Sequence, residues 1–280
     1  MTGKKAESKD IAASYVRGLL GGMLIGAPVL MTMEVWWQGF SVPAWRLVLL
    51  YCVNYGILLV LQHYSGLSHR KSFRAQASAA VVALGIGTVS AGIILFVLGV
   101  LRGDLELRDV VGKLILQSVP VSIGASIAMS EFGGNEEHEE ITERRRRRAG
   151  YFGSLSIAIA GASLFGFGIS ATEEPLMIAD QIDVKRAILL MLLSMVQVFA
   201  ILFALDHKEK SKADLGSRAH LIAVSQESVS TYAVGLLSAA YFLWTFGALN
   251  SSMGLITAVY VIIAAGFVTS LGAAAAEVLI

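Results

Sequence analysis

The chain has 280 residues, 55% of them hydrophobic and 15% charged, and a mean hydropathy of +0.68. Soluble domains carry about a quarter charged residues, so the composition points to lipid rather than water as the solvent. The net charge of +1 excludes bulk electrostatic attraction to nucleic acid, and the single cysteine, Cys52, excludes an intrachain disulfide and any paired-cysteine metal spacing.

Taken in chain order, Lys4, Lys5 and Lys9 precede an apolar run that continues to Trp37 without a small-residue cleavage site. The expectation is a retained first span over 15–37 rather than a signal peptide. Further apolar windows fall at 46–64, 76–101, 110–130, 151–171, 187–206, 228–248 and 253–277. Each is close to the ~20 residues a helix needs to cross the hydrocarbon core. The stretches Ala79 to Val100 and Tyr151 to Ala171 carry no charge on any face. A soluble helical bundle would need a polar stripe there. The predicted fold is therefore all-α, a polytopic transmembrane helical bundle of eight spans.

Loop charge sets the orientation, because Lys and Arg concentrate on the cytoplasmic side. One side receives Lys4, Lys5, Lys9, Arg17, Arg70, Lys71, Arg74, Arg144 to Arg148, Lys208, Lys210, Lys212 and Arg218, sixteen of the 22 basic residues. The other receives Arg46, Arg102, Arg108, Lys113, Lys185 and Arg186. Both termini are predicted to be cytoplasmic. Trp36, Trp37 and Trp45 surround the first outer loop, where an interfacial aromatic belt is expected. Gly18, Gly22 and Gly26 form a stripe in the first span that would let another helix approach closely.

The two halves of the chain resemble one another. Gly21, Gly26, Glu34 and Arg46 fall on Gly161, Gly166, Glu174 and Arg186 at an offset of 140. Leu61 and His63 match Leu205 and His207 at 144; Gln76, Ser78, Gly85 and Phe96 match Gln226, Ser228, Gly235 and Phe246 at 150; Ser122, Gly124 and Ala125 match Ser270, Gly272 and Ala273 at 148. This predicts two parallel four-helix repeats, over 15–130 and 151–280, after a cytoplasmic tail at 1–14 and joined by a charged cytoplasmic linker at 131–150. An even number of spans per repeat makes the halves parallel rather than inverted, and transporters place their sites where repeats meet.

The segment from Arg17 to Trp37 ending in Glu34-Val-Trp-Trp, the Thr172-Glu-Glu-Pro175 turn, and the final Ser270-Leu-Gly-Ala273 to Glu277 resemble a bacterial family of putative integral membrane proteins of unknown function. The resemblance implies a bacterial inner-membrane location and carries no activity and no functional residues.

Carboxylates near the bilayer are costly unless protonated, paired or in contact with water. Glu34 ends the first span, and Glu173 and Glu174 follow the fifth, with Asp180 and Asp183 in the same outer segment. Paired across the repeat, such groups would bind a cation, since hard ions prefer oxygen, or share a proton, since like charges raise one pKa. The plainer alternative is an interfacial carboxylate that reaches water or pairs with Arg46 or Arg186, and an outer segment that is only a solvated loop. Asn54, Gln117, Ser122 and Gln197 are candidates for a polar path, with Ser118, Ser126, Ser194, Thr257 and Thr269 as milder ones; the alternative is that they tie helices together. Pro28 and Pro120 would free backbone carbonyls or simply kink their helices. His63 and His207, at the inner ends of spans two and six, are candidate proton carriers, since histidine titrates near neutrality, or plain interfacial residues. Arg144, Arg145, Arg146, Arg147 and Arg148 would set orientation and contact anionic lipid.

No catalytic, nucleotide-binding or redox motif is present, so no enzyme activity and no cofactor are expected; whether a metal binds is left open. The expected partners are the lipid bilayer, a small cation and further copies of the chain in a homo-oligomer, with no nucleic acid. The functional expectation is a transporter or channel for a proton or metal ion, and the alternative is a non-transporting scaffold, sensor or partner subunit.

Overall fold

The computed structural model describes residues 2–64, 72–131, 136–209 and 218–279. Among these all regular structure is helical, and the chain divides into two compact units, Met1–Gly153 and Ser154–Ile280. Helices dominate because a backbone in lipid must satisfy its polar groups internally.

In the first unit, α1 (Thr2–Leu30) turns through 84° into the short α2 (Met33–Ser41). The single span expected over 15–37 is thus a bent pair. Pro28 lies inside α1, and the break comes after it, at Met31 and Thr32. The last carbonyls of a helix lack intrahelical partners, and in lipid each would cost several kcal/mol, about the price of a lost hydrogen bond in hydrocarbon. Here they are capped. Thr32 Oγ1 donates to Pro28 O (2.6 Å), and Thr32 N and Gln117 Nε2 donate to Val29 O (3.1 and 3.3 Å). Trp36 Nε1 donates to Leu30 O (2.8 Å). At the far end of α2, the Arg108 guanidinium donates to Phe40 O (2.7 Å) and Val42 O (3.3 Å).

Three long helices follow: α3 (Ala44–Tyr64), α4 (Phe73–Val97) and α5 (Leu107–Glu131). The centre of the unit is α5, which packs against α1, α2, α3 and α4. Small residues allow this. Gly18, Gly22 and Gly26 all face α5, against Met129 and Val121, so the glycine stripe is a packing seam. The helices α4 and α5 also approach closely, where a Cβ on Gly87 would lie 2.6–2.8 Å from Cβ, N and Cα of Ser122.

Next, α6 (Glu136–Ser170) is broken at Gly150, whose φ of +51° is a left-handed value that glycine adopts freely. The second unit takes α6 from Ser154, then α7 (Glu174–Gln181), α8 (Val184–Glu209), α9 (Arg218–Thr245) and α10 (Leu255–Leu279). Its central helix is α10, packed on α7, α8 and α9 and meeting α6 where a Cβ on Gly161 would touch Gly272 O and Ala276 Cβ. Between α9 and α10 a Cβ on Gly235 would lie 2.6–2.8 Å from Cα, N and Cβ of Ser270. Phe167 meets Phe242 and Phe246 edge-on, with centroids 5.6 and 5.2 Å away, a favourable aromatic geometry.

The acidic segment after α6 is a helix rather than an open loop. Pro175 sits in the first turn of α7, where its missing N–H costs nothing, and Asp183 Oδ1 accepts from Arg186 N (2.9 Å) at the start of α8.

Among the described residues 6 helices are long and apolar enough to cross a membrane, or 7 if the bent α1–α2 pair is one span. These are α3, α4, α5, α6 from Gly150, α8 and α10. The expected window over 228–248 belongs to α9, which is long enough but diluted by Glu227, Ser228, Ser230 and Thr231.

Candidate functional site

The two short helices carry the carboxylates singled out by sequence. Each buries two residues one turn apart, Val35 and Gly39 in α2, Pro175 and Ala179 in α7. This fixes which face points outward. Glu34, in the first turn of α2, and Glu173, Glu174 and Asp180, at and within α7, are all exposed.

In the first unit one face of α3 carries a ladder of polar contacts to α4 and α5. Tyr51 Oη meets Thr88 Oγ1 at 3.2 Å, Asn54 Nδ2 donates to Ser122 Oγ (2.9 Å), and Gln62 Nε2 donates to Ser126 Oγ (3.0 Å). His63 Nδ1 and Gln76 Oε1 lie 3.0 Å apart. Asn54 and Ser122 are thus brought together as a buried pair, whereas Gln117, fully buried, is directed to the α1 bend. The Asn54 Oδ1 and Gln117 Oε1 atoms are buried without a hydrogen-bond partner. The ladder offers amide and hydroxyl groups, with the His63 imidazole at its end. In α8, Gln197 is half-buried with an unpartnered Oε1. His207 lies in α8, but its side chain, like those of Arg144, Arg145, Arg146, Arg147 and Arg148, is outside the described residues.

The second unit holds a different arrangement, which sequence reasoning missed. Glu277, in the last turn of α10, is only 2% exposed, although it belongs to the apolar stretch Leu255–Val278. Thr231 Oγ1 on α9 donates to Glu277 Oε1 (2.8 Å). The Ser154 hydroxyl on α6 is hydrogen-bonded to Glu277 Oε2 and also to Glu227 Oε1, the latter at 2.6 Å. Glu227 lies one turn before Thr231 on the same face of α9 and is half-buried. Three helices therefore converge two carboxyls and two hydroxyls. The available signal was a glutamate at the end of an otherwise uncharged final run and a second one four residues before a threonine. Such charges near span ends usually reach water, and burial depends on packing that spacing does not reveal. No group of three or more His, Cys, Asp or Glu side chains able to hold a metal occurs among the described residues.

Compared with known proteins, residues 14–280 match the model of a family described as "Putative integral membrane protein (DUF2391)". No curated protein and no solved structure is significantly similar to the chain.

Proposed function

Since the chain belongs to this family of integral membrane proteins, we propose that it passes a small cation across the bilayer, with Glu227 and Glu277 as the point where the cation is held. The carrying observation is the burial of Glu277 within an apolar helix, its carboxyl held by Ser154 and Thr231. An ionisable group at such a position is expensive, faces the interior or a polar path, and marks ion or proton routes by default. In this reading the exposed Glu34, Glu173, Glu174 and Asp180 gather cations at the outer ends of the helices.

The same reading counts the bent α1–α2 pair and α9 as spans, giving eight in two parallel four-span repeats, with both termini on the cytoplasmic side as the basic loops indicate, in the bacterial inner membrane that the family resemblance implies. Packing inside each unit supports the repeat. Gly21 meets Ala128 as Gly161 meets Ala276; Gly26 meets Val121 as Gly166 meets Thr269; Gly124 meets Ile25 as Gly272 meets Phe165; Gly87 meets Ser122 as Gly235 meets Ser270. Residues of α1 and α6 correspond at 140 in every pair, and those of α4, α5, α9 and α10 at 148. This packing favours a register of the third span at 148, through Gly87, over the offset of 150 through Gly85, which has open space where a Cβ would lie.

The test is flux in proteoliposomes, with reporters for protons, potassium and divalent cations. Glu277→Gln is expected to abolish flux in protein that remains folded. Equal flux in wild type and Glu277→Gln would refute the site. Absence of flux for every ion from folded wild-type protein would refute transport and assign a scaffold, sensor or partner-subunit role.

A further inference from the structure

We infer that the cation taken at this site is a proton, and that Glu227 and Glu277 share one through the Ser154 hydroxyl. The sharing stands on geometry alone; its role as cargo rests on the transport reading above.

Hydrogens can be counted. Ser154 Oγ is hydrogen-bonded to one oxygen of each carboxyl. Every hydrogen bond needs one hydrogen, and a serine hydroxyl carries one. The second must come from a carboxyl, so one of the two glutamates is a neutral acid that donates to Ser154 Oγ while Ser154 donates to the other. Thr231 spends its own hydrogen on Glu277 Oε1 and cannot make up the difference. Both oxygens of Glu277 are engaged by hydroxyls, which suits a proton better than a metal ion seeking bare carboxylate oxygen.

The proton has a path. A neutral Glu277 gives its proton to Ser154 Oγ as Ser154 gives its own to Glu227. The serine is restored with its hydrogen bonds reversed, and one proton has moved between the buried α10 carboxyl and the half-buried α9 carboxyl.

A separate observation removes a purely structural role. At the offset that relates the packing of the two units, Glu277, Glu227 and Thr231 correspond to Met129, Ala79 and Ala83. The first unit builds the same helix contacts with apolar residues at all three places, so the fold does not require the acids.

The test is the infrared spectrum of the purified full chain at neutral pH, in H2O and D2O. The wild type is expected to show the C=O stretch of a protonated carboxyl, shifted in D2O and lost in both Glu277→Gln and Glu227→Gln. In each variant the remaining carboxylate accepts from Ser154 and the new amide N–H supplies the missing hydrogen. Ser154→Ala keeps both acids and removes the bridge, so it shifts the band and serves if a glutamine variant does not fold. No such band in the wild type, or a band retained in either glutamine variant, overturns the shared proton. Metal-ion flux blocked by Glu277→Gln with no band in the wild type would overturn this inference and leave cation transport standing. A shared proton without any flux would do the reverse.

Discussion

Replacing Gly87 with alanine tests the close packing of α4 on α5 in the first unit. The added Cβ would sit 2.6 Å from Ser122 Cβ, 2.7 Å from its N and 2.8 Å from its Cα. Carbon atoms prefer about 3.5–4.0 Å, so α4 and α5 must part by roughly 1 Å, and two of the three obstacles are backbone that cannot swing aside. Overpacking of this kind costs about 1–3 kcal/mol. Alanine returns about 0.5–1 kcal/mol through its better helix propensity. The net expectation is a destabilisation of about 1–2 kcal/mol, the difference of those two effects. Gly85→Ala is the internal control, since its Cβ meets nothing within 4 Å and only the propensity gain remains. Gly235→Ala should behave like Gly87→Ala, because it meets the same three atoms of Ser270. Thermal unfolding in detergent micelles measures all three. A Gly87→Ala protein that melts at or above Gly85→Ala would refute the packing, and a Gly235→Ala protein that behaves like Gly85→Ala would break the correspondence between the units.

Asn54→Leu removes one hydrogen bond to Ser122 and one orphaned acceptor, while Ser122 keeps its bond to Val119 O. Membrane hydrogen bonds contribute about 1 kcal/mol or less, so the unfolding midpoint should barely move, and a large loss would show that Asn54 does more than tie helices. Arg108→Ala frees the carbonyls of Phe40 and Val42; hydrogen–deuterium exchange should rise across α2 and stay unchanged in α4, and unchanged exchange in α2 would sink the proposed anchor. Thr231→Val removes the donor to Glu277 Oε1; the carbonyl stretch of a neutral Glu277 should rise in frequency, and an unmoved band would place the proton on Glu227.

The long helices were legible because an uncharged run of about 20 residues has one good solution in lipid. The short ones were not. The run to Trp37 contains no glycine or proline at Met31 and Thr32, where the chain turns, and the turn depends on Gln117, which is distant in sequence. The acidic stretch from Glu173 to Asp183 was open to reading as a solvated loop because its polar residues hide the small buried face of Pro175 and Ala179. Glu34 and Glu174 stood out for their symmetry and are exposed, whereas Glu277 stood at the end of a span like any interfacial charge and is buried. What separates them is whether neighbouring helices close over the carboxyl, and for Glu277 those neighbours are α6 and α9, more than 40 residues away in sequence.

The central position of α5 bears on how the chain enters the membrane. Of the candidate spans it is the least apolar and the most enclosed, with 78% of its apolar window buried, against 22% for α8, the most apolar. A helix wrapped by protein is free to carry Gln117, Ser118, Pro120, Ser122 and Ser126, yet that freedom makes it a poor substrate for insertion by itself. Synthesis order resolves the difficulty. All four helices that α5 packs against within its unit precede it in the chain, so when it leaves the ribosome a polar-tolerant groove already waits in the bilayer. Its entry is the docking of a last stave rather than an independent dissolution into lipid.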